Sequence, residues 1–303
     1  MQIEWATINQ VPTKVLTWGK TLQEAKDHIG ENLNYIVCIC GNPGIPDAYI
    51  EFLDEIHRRT NNVVWILSHA GHSVNNVTDM PLYEENKELY ELEGQIKHKA
   101  NFIEEYIPKN AKIILIGHSV GAYIILRLLQ VPSIQSKVTK IYLLFPTIEY
   151  IGDSPSGKLF MRFVRRIFSI ILLLASLFNI LPVMIQTFIL HIYLKVSDMP
   201  SYLLEPIRNF VQPFVLKVVL NMALQEMLQI RERDNKILID NRKKIKIYYG
   251  AKDEWCPLIN YYNIMKDIPD IDAKVCDKGY NHSFVLKSSL PMAALISNWM
   301  KEQ

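Results

Sequence analysis

Five residues, Gly117-His118-Ser119-Val120-Gly121, have the types and spacing for nucleophilic catalysis. A serine hydroxyl attacks an acyl carbon only when it stands clear of the backbone beside a base. A tight turn between a strand and a helix delivers that. The apolar run IILI (Ile113–Ile116) precedes these residues and the helical run AYIILRLL follows them. Glycines two before and two after Ser119 leave room for strand and helix to approach. The same turn sets the backbone N–H of Val120 at a helix N-terminus, aimed where an oxyanion forms. Serine rather than aspartate at the centre points to acyl transfer. A second oxyanion donor is expected from Gly41-Asn42-Pro43-Gly44, which follows the run YIVCIC. Pro43 has no N–H, so the backbone N–H of Asn42 is the candidate. A plain Pro-Gly turn accounts for the same letters, and such a turn is also what presents the amide.

A base and an acid must serve the nucleophile. Of eight histidines, only His191 and His282 follow Ser119. His191 falls in an apolar stretch and reads as a polar border. His282 lies in the loop Gly279-Tyr280-Asn281-His282-Ser283 after the last apolar run, from which its ring can reach back to the serine. Asp253, in Gly250-Ala251-Lys252-Asp253-Glu254, lies in a short loop that starts at a strand end and lies close to His282, and is the favoured acid. Asp153 is its rival, with Glu149 and Glu254 weaker. The acid's work is to hold one tautomer of His282 and to stabilise the imidazolium. His69 and His72, in Ser68-His69-Ala70-Gly71-His72, have no carboxylate or cysteine cluster beside them. They read as shaping the site or making a structural hydrogen bond rather than as metal ligands, and no metal or cofactor is expected.

These residues need a scaffold. An antiparallel hairpin is expected around Ile3–Ile8 and Lys14–Trp18, joined by a Pro-containing turn. Nearly continuous apolar runs follow at Tyr35–Cys40, Val63–Leu67, Ile113–Ile116, Ile141–Phe145, Ile245–Tyr249 and Ala273–Cys276, as strands buried on both faces require. Amphipathic stretches separate them. Leu89, Leu92, Ile96, Ala100 and Ile103 predict a helix over Leu89–Tyr106 that ends before Pro108. Further helices are expected at Pro257–Met265 and Leu290–Met300. This alternation, with the elbow and the order serine, acid, histidine, is that of the α/β-hydrolase fold: a mostly parallel central sheet with helices on both faces. Residues 1–150 and 241–303 form the two parts of the core, and 151–240 an apolar helical insertion acting as lid or membrane contact.

Within that insertion, Ile167 to Leu190 carries no charge over 24 residues. As one helix it measures about 36 Å, enough for a hydrocarbon core of about 30 Å. Asn179 and Pro182 interrupt it, however, and a single crossing would part Ser119 from Asp253. A bent hairpin dipping into one leaflet avoids both difficulties, with Ile171, Leu173, Phe178 and Phe188 as contacts. Lys158, Arg162, Arg165, Arg166 and Lys195 would stay at the headgroups. A lid whose apolar face covers the pocket is the alternative.

The remaining composition mainly excludes. Thirty-three Lys and Arg against 31 Asp and Glu leave a net charge of +2, which gives no electrostatic reason to expect nucleic acid. Cys38, Cys40, Cys256 and Cys276 match no zinc or disulfide spacing and read as reduced, buried thiols. The opening MQIEWATINQ lacks a basic flank and an apolar core, so a cleaved secretory signal is not expected.

Together, Gly41–Gly44, Ser68–His72, Gly94-Gln95-Ile96, Gly117–Gly121, Leu144–Glu149 and Tyr248–Pro257 resemble the lipid droplet-associated hydrolases across essentially the whole chain. The resemblance implies a serine hydrolase on lipid droplets and endoplasmic reticulum, cytosolic face, with lipid esters and possible sterol esters as substrates. It places the triad at Ser119, Asp253 and His282. Two alternatives stand beside it: a droplet coat or interaction protein with weak catalysis, and an acyltransferase using the same triad.

Overall fold

A computed structural model describes residues 1–27 and 33–302. Its centre is an eight-stranded sheet in the order β1-β2-β4-β3-β5-β6-β7-β8. The strands are β1 (Gln2–Ile8), β2 (Val11–Trp18), β3 (Asn34–Ile39), β4 (Val63–Leu67), β5 (Lys112–His118), β6 (Val138–Leu144), β7 (Ile245–Tyr249) and β8 (Asp272–Val275). The pairs β1–β2 and β2–β4 are antiparallel and all others parallel. This is the α/β-hydrolase fold. The β1–β2 turn is Asn9-Gln10, both at positive φ. Pro12 is not in that turn but pairs with Thr7 inside β2.

Alternation along each strand feeds two cores. On β3, Tyr35, Val37 and Ile39 join one cluster, with helices Leu92–Tyr106 and Val120–Leu128. Ile36, Cys38 and Cys40 join the other, with helices Ile50–Thr60 and Ser289–Lys301. Every β3 residue after Asn34 is therefore buried, which is why the run reads as apolar without a period. All four cysteines are free and buried.

The helix expected over Leu89–Tyr106 is two elements. A short turn, Lys87–Tyr90, ends at Glu91, which is extended at φ −70°, ψ 166°, and the long helix begins at Leu92. The break lets Gln95 reach back, its Nε2 donating to the carbonyls of Tyr90 and Ala70.

Between β6 and β7 the chain forms helices Phe168–Ile180, Val183–Val196, Leu204–Phe210 and Pro213–Gln229. The charge-free run breaks at Leu181-Pro182. Its two polar amides close the corner: Asn179 Nδ2 donates to Val211 O, and Gln186 Nε2 donates to Leu181 O. Phe168–Ile180 lies on Pro213–Gln229, and Val183–Val196 on Leu204–Phe210. Among the described residues no single helix is long and apolar enough to cross a membrane. One pair, Pro155–Val164 with Phe168–Ile180, passes by length and composition but is bent by 74°.

Candidate active site

β5 delivers Ser119 at the C-terminal edge of the sheet, and helix Val120–Leu128 starts directly after it. Ser119 has φ 55° and ψ −123°, a conformation that an L-residue keeps only when its surroundings enforce it. The glycines flanking it are steric requirements. A Cβ on Gly121 would stand 2.2 Å from the Ile39 carbonyl oxygen, and one on Gly117 would stand 2.7 Å from Ile125 Cδ1.

His282, in the loop after β8, brings Nε2 to 2.9 Å from Ser119 Oγ. Its Nδ1 lies 2.6 Å from Asp253 Oδ2. With the proton on Nδ1, His282 donates to Asp253 and accepts from the serine. Asp253 Oδ1 in turn accepts from the backbone N–H groups of Trp255 and Cys256 at 2.8 and 3.0 Å. Both carboxyl oxygens are thus directed, and the imidazole has one orientation. The other acids lie elsewhere. Asp153 pairs with Arg231 at 3.4 Å on the surface, Glu149 with buried Arg233 at 2.5 Å, and Glu254 is exposed. His191 is exposed on the Val183–Val196 helix.

The loop Gly41–Gly44 runs past the serine, with a cis bond between Asn42 and Pro43. Among the described residues no hydrogen bond occupies the backbone N–H of Asn42 or of Val120. Buried side chains hold the loop from behind. His69 donates from Nε2 to Cys40 O at 3.1 Å, and His72 from Nδ1 to Pro43 O at 2.8 Å. Burial keeps both rings neutral, depressing the His72 pKa to about 3 and that of His69 well below the usual range. Among the described residues no group of three or more His, Cys, Asp or Glu gathers as metal ligands would.

Three partners escape sequence reasoning. Tyr49 accepts from Gly41 N at 2.9 Å, and its O–H meets His118 Nδ1 at 2.6 Å. His118 Nε2 donates to the carbonyl of His282 at 2.9 Å. Burial, reinforced by His282 nearby, holds the His118 pKa down to about 3, so a neutral ring ties the histidine loop to the serine strand. The third is Glu226, whose Oε1 accepts from Asn42 Nδ2 at 2.8 Å. Among these, only the position of His118 inside the five-residue motif signals a role.

Two cavities meet at this point, sharing Asn42, Pro43, Phe210, His282 and Ser283. One, of about 430 Å³, lies under the insertion and is walled by Leu190, Leu203, Ile207 and Leu286 among others. The other, of about 260 Å³, contains Ser119. The helix Val183–Val196 has two faces. Gln186, Leu190 and Leu194 are buried, whereas Met184 is 85% exposed and Phe188 66%. Leu173 is exposed likewise, while Ile171 and Phe178 are half-buried, Phe178 against the Leu190–Leu194 cluster. Lys158, Arg162, Arg165, Arg166 and Lys195 are exposed around these helices.

A sequence model of the family described as lipid-droplet associated hydrolase matches residues 33–285. A Drosophila melanogaster protein named lipid droplet-associated hydrolase is 36% identical, covering 100% of this chain and 99% of its own length. A Mus musculus protein of the same name is also 36% identical, with 97% and 93% covered. Among solved structures, a hydrolase from Oleispira antarctica superposes with a TM-score of 0.64 at 13% identity. It covers 95% of this chain and 94% of its own, a likeness of fold alone.

Proposed function

The chain belongs to the lipid-droplet associated hydrolase family, and from that premise we propose that it is a serine esterase acting on lipid esters, with Ser119, His282 and Asp253 as its triad. The observation that carries this reading is the continuous line from Asp253 Oδ2 through His282 to Ser119 Oγ, at 2.6 and 2.9 Å. Its steps follow from that line. His282 Nε2 takes the Ser119 proton as Oγ attacks the ester carbonyl, and the carbonyl electron pair moves onto oxygen. The free N–H groups of Asn42 and Val120 receive that oxyanion. Collapse breaks the ester C–O bond, and the leaving alcohol takes the proton from His282. Water then repeats the sequence on the acyl-enzyme and releases the carboxylic acid. Asp253 stabilises the imidazolium in both halves.

The 430 Å³ apolar cavity suits a long hydrocarbon or sterol arm. Residues 151–240 form the cap over a core made of 1–150 and 241–303. The exposed apolar faces of the cap seat the protein on a lipid droplet or on the endoplasmic reticulum from the cytosolic side, with the basic residues at headgroups. Covalent labelling by a fluorophosphonate probe tests the chemistry. Wild-type protein is expected to label and Ser119→Ala not to. Labelling that persists in the mutant would place the nucleophile elsewhere.

A further inference from the structure

The cavity beside Ser119 contains one acidic side chain that ester cleavage does not use. Glu226, on the Pro213–Gln229 helix, is 3% exposed and lines the 260 Å³ cavity together with Ser119 and His282. Much of the remaining wall is hydrocarbon, including Ile151, Phe160, Val219 and Met227, and no Lys or Arg lines it among the described residues. An ionised carboxylate is costly in such surroundings. Burial pushes the Glu226 pKa up to about 8, opposed only by the bond from Asn42. At neutral pH the side chain is therefore a carboxylic acid. Oε1 accepts from Asn42 Nδ2 at 2.8 Å, which makes Oε1 the carbonyl oxygen and leaves the proton on Oε2. Among the described residues no hydrogen bond is made by Oε2. It is an unpaired donor of a buried side chain that lines the reaction cavity.

We propose that Glu226 recognises substrate, its Oε2–H donating to an oxygen acceptor in the arm of the ester that enters the cavity beside Ser119. The proposal rests on the serine-esterase reading. It names the substrate class as an ester with one arm bearing a ketone, ether or hydroxyl oxygen and a second arm of hydrocarbon for the larger cavity. A plain hydrocarbon arm beside Glu226 would leave that donor unpaired, and sites built around such a donor discriminate against substrates that cannot satisfy it.

The donor is lost when Glu226 ionises, so the preference has a pH signature. His282 is the ionisable group that shares the cavity. Neighbouring elements direct their charges elsewhere: Glu93 pairs with Arg127, Asp153 with Arg231 and Glu205 with Arg208. Buried Lys99 bonds to Ser68 O, and the Phe168–Ile180 helix has no charge.

Full-length protein is assayed by mass spectrometry of products, on hexyl hexanoate and on matched esters carrying a ketone at successive positions of either arm. At pH 7 at least one ketone ester is expected to exceed the plain ester in kcat/KM by about tenfold. Glu226→Leu brings that ratio to about one, whereas Glu226→Gln, whose amide N–H still donates, keeps a preference. In wild type the ratio falls above a pH of about 8, and in Glu226→Gln it does not. This pH arm decides the question even if Glu226→Leu does not fold, and any effect of pH common to both esters cancels in the ratio. A wild type that prefers no ketone ester overturns the proposal, as does a preference untouched by both Glu226→Leu and alkaline pH. Fluorophosphonate labelling in the same preparation separates the two levels. Labelling without a ketone preference removes this proposal alone, and failure to label removes the esterase reading beneath it.

Discussion

Ser119 is held at a positive φ that costs of order 1–3 kcal/mol, and the surrounding glycines and the β5 strand enforce it. If that geometry serves catalysis, Ser119→Ala lowers ester turnover by on the order of 10⁴-fold or more without loss of the fold. Steady-state assays with circular dichroism on the same sample check both halves. Asp253→Asn is expected to cost about as much, because its amide cannot support the same His282 tautomer. Asp153→Asn breaks only the surface pair with Arg231 and stays within about twofold. A larger loss at Asp153 would overturn the assignment of the acid.

The buried neutral histidines make a separate prediction about stability. His72 and His118 have folded pKa values of about 3, below the unfolded value near 6.5. Between those values the unfolded chain binds more protons, so stability rises with pH and is lost as pH falls below about 6.5. At pH 5 the loss is on the order of 2 kcal/mol for each ring. Urea unfolding at pH 7 and pH 5 should show a lower midpoint at pH 5, and His118→Gln should shrink that difference.

Residues of the elbow are legible in sequence because one steric problem dictates their types within five positions. Asp253 and His282 are legible because each lies in the loop that follows one of the last two strands. Glu226 and Tyr49 are not. Each is one side chain on an ordinary helical turn, and its partner, Asn42 or His118, lies far away in sequence.

At the scale of elements, the strands are legible where both faces are buried, since an apolar run then leaves no alternative. The break at Glu91 is not legible, because Leu89 continues the helical period of Leu92 and Ile96 across it. What it permits is a tertiary contact, Gln95 donating to the carbonyls of Tyr90 and Ala70. Close packing of the elbow helix on β3 carries the next prediction. In Gly121→Ala the new methyl meets the Ile39 carbonyl oxygen, a backbone atom that cannot rotate aside. Helix and strand must separate, at a cost of roughly 1–3 kcal/mol, and the loop Gly41–Gly44 that follows β3 moves with them. A lowered melting temperature together with a reduced rate of fluorophosphonate labelling is expected. An unchanged melting temperature would mean that the elbow has slack.

At the scale of the molecule, the insertion after β6 leaves Leu173, Leu174 and Leu177 on one helix and Met184, Phe188 and Val196 on the next exposed to solvent. Such a surface is far more apolar than a water-facing cap needs. Its buried side, through Leu190, roofs the larger cavity. A lipid surface covering the outer face would therefore lie one helix away from the larger cavity. On insertion scales an arginine deep in hydrocarbon costs roughly 2.5–3.5 kcal/mol. Leu173→Arg with Phe188→Arg, one change on each helix, is accordingly expected to release the protein from droplets in a flotation assay. Neither residue lines either cavity, so cleavage of a small soluble ester should persist. Protease protection of tags placed before and after the segment Ile167 to Leu190 completes the test, with both expected to be digested from the cytosolic side. Retention of the double mutant on droplets would reduce the segment to a lid. Protection of one tag alone would mean that the chain crosses the bilayer, and the assignment of Ser119, Asp253 and His282 to one site would then fall.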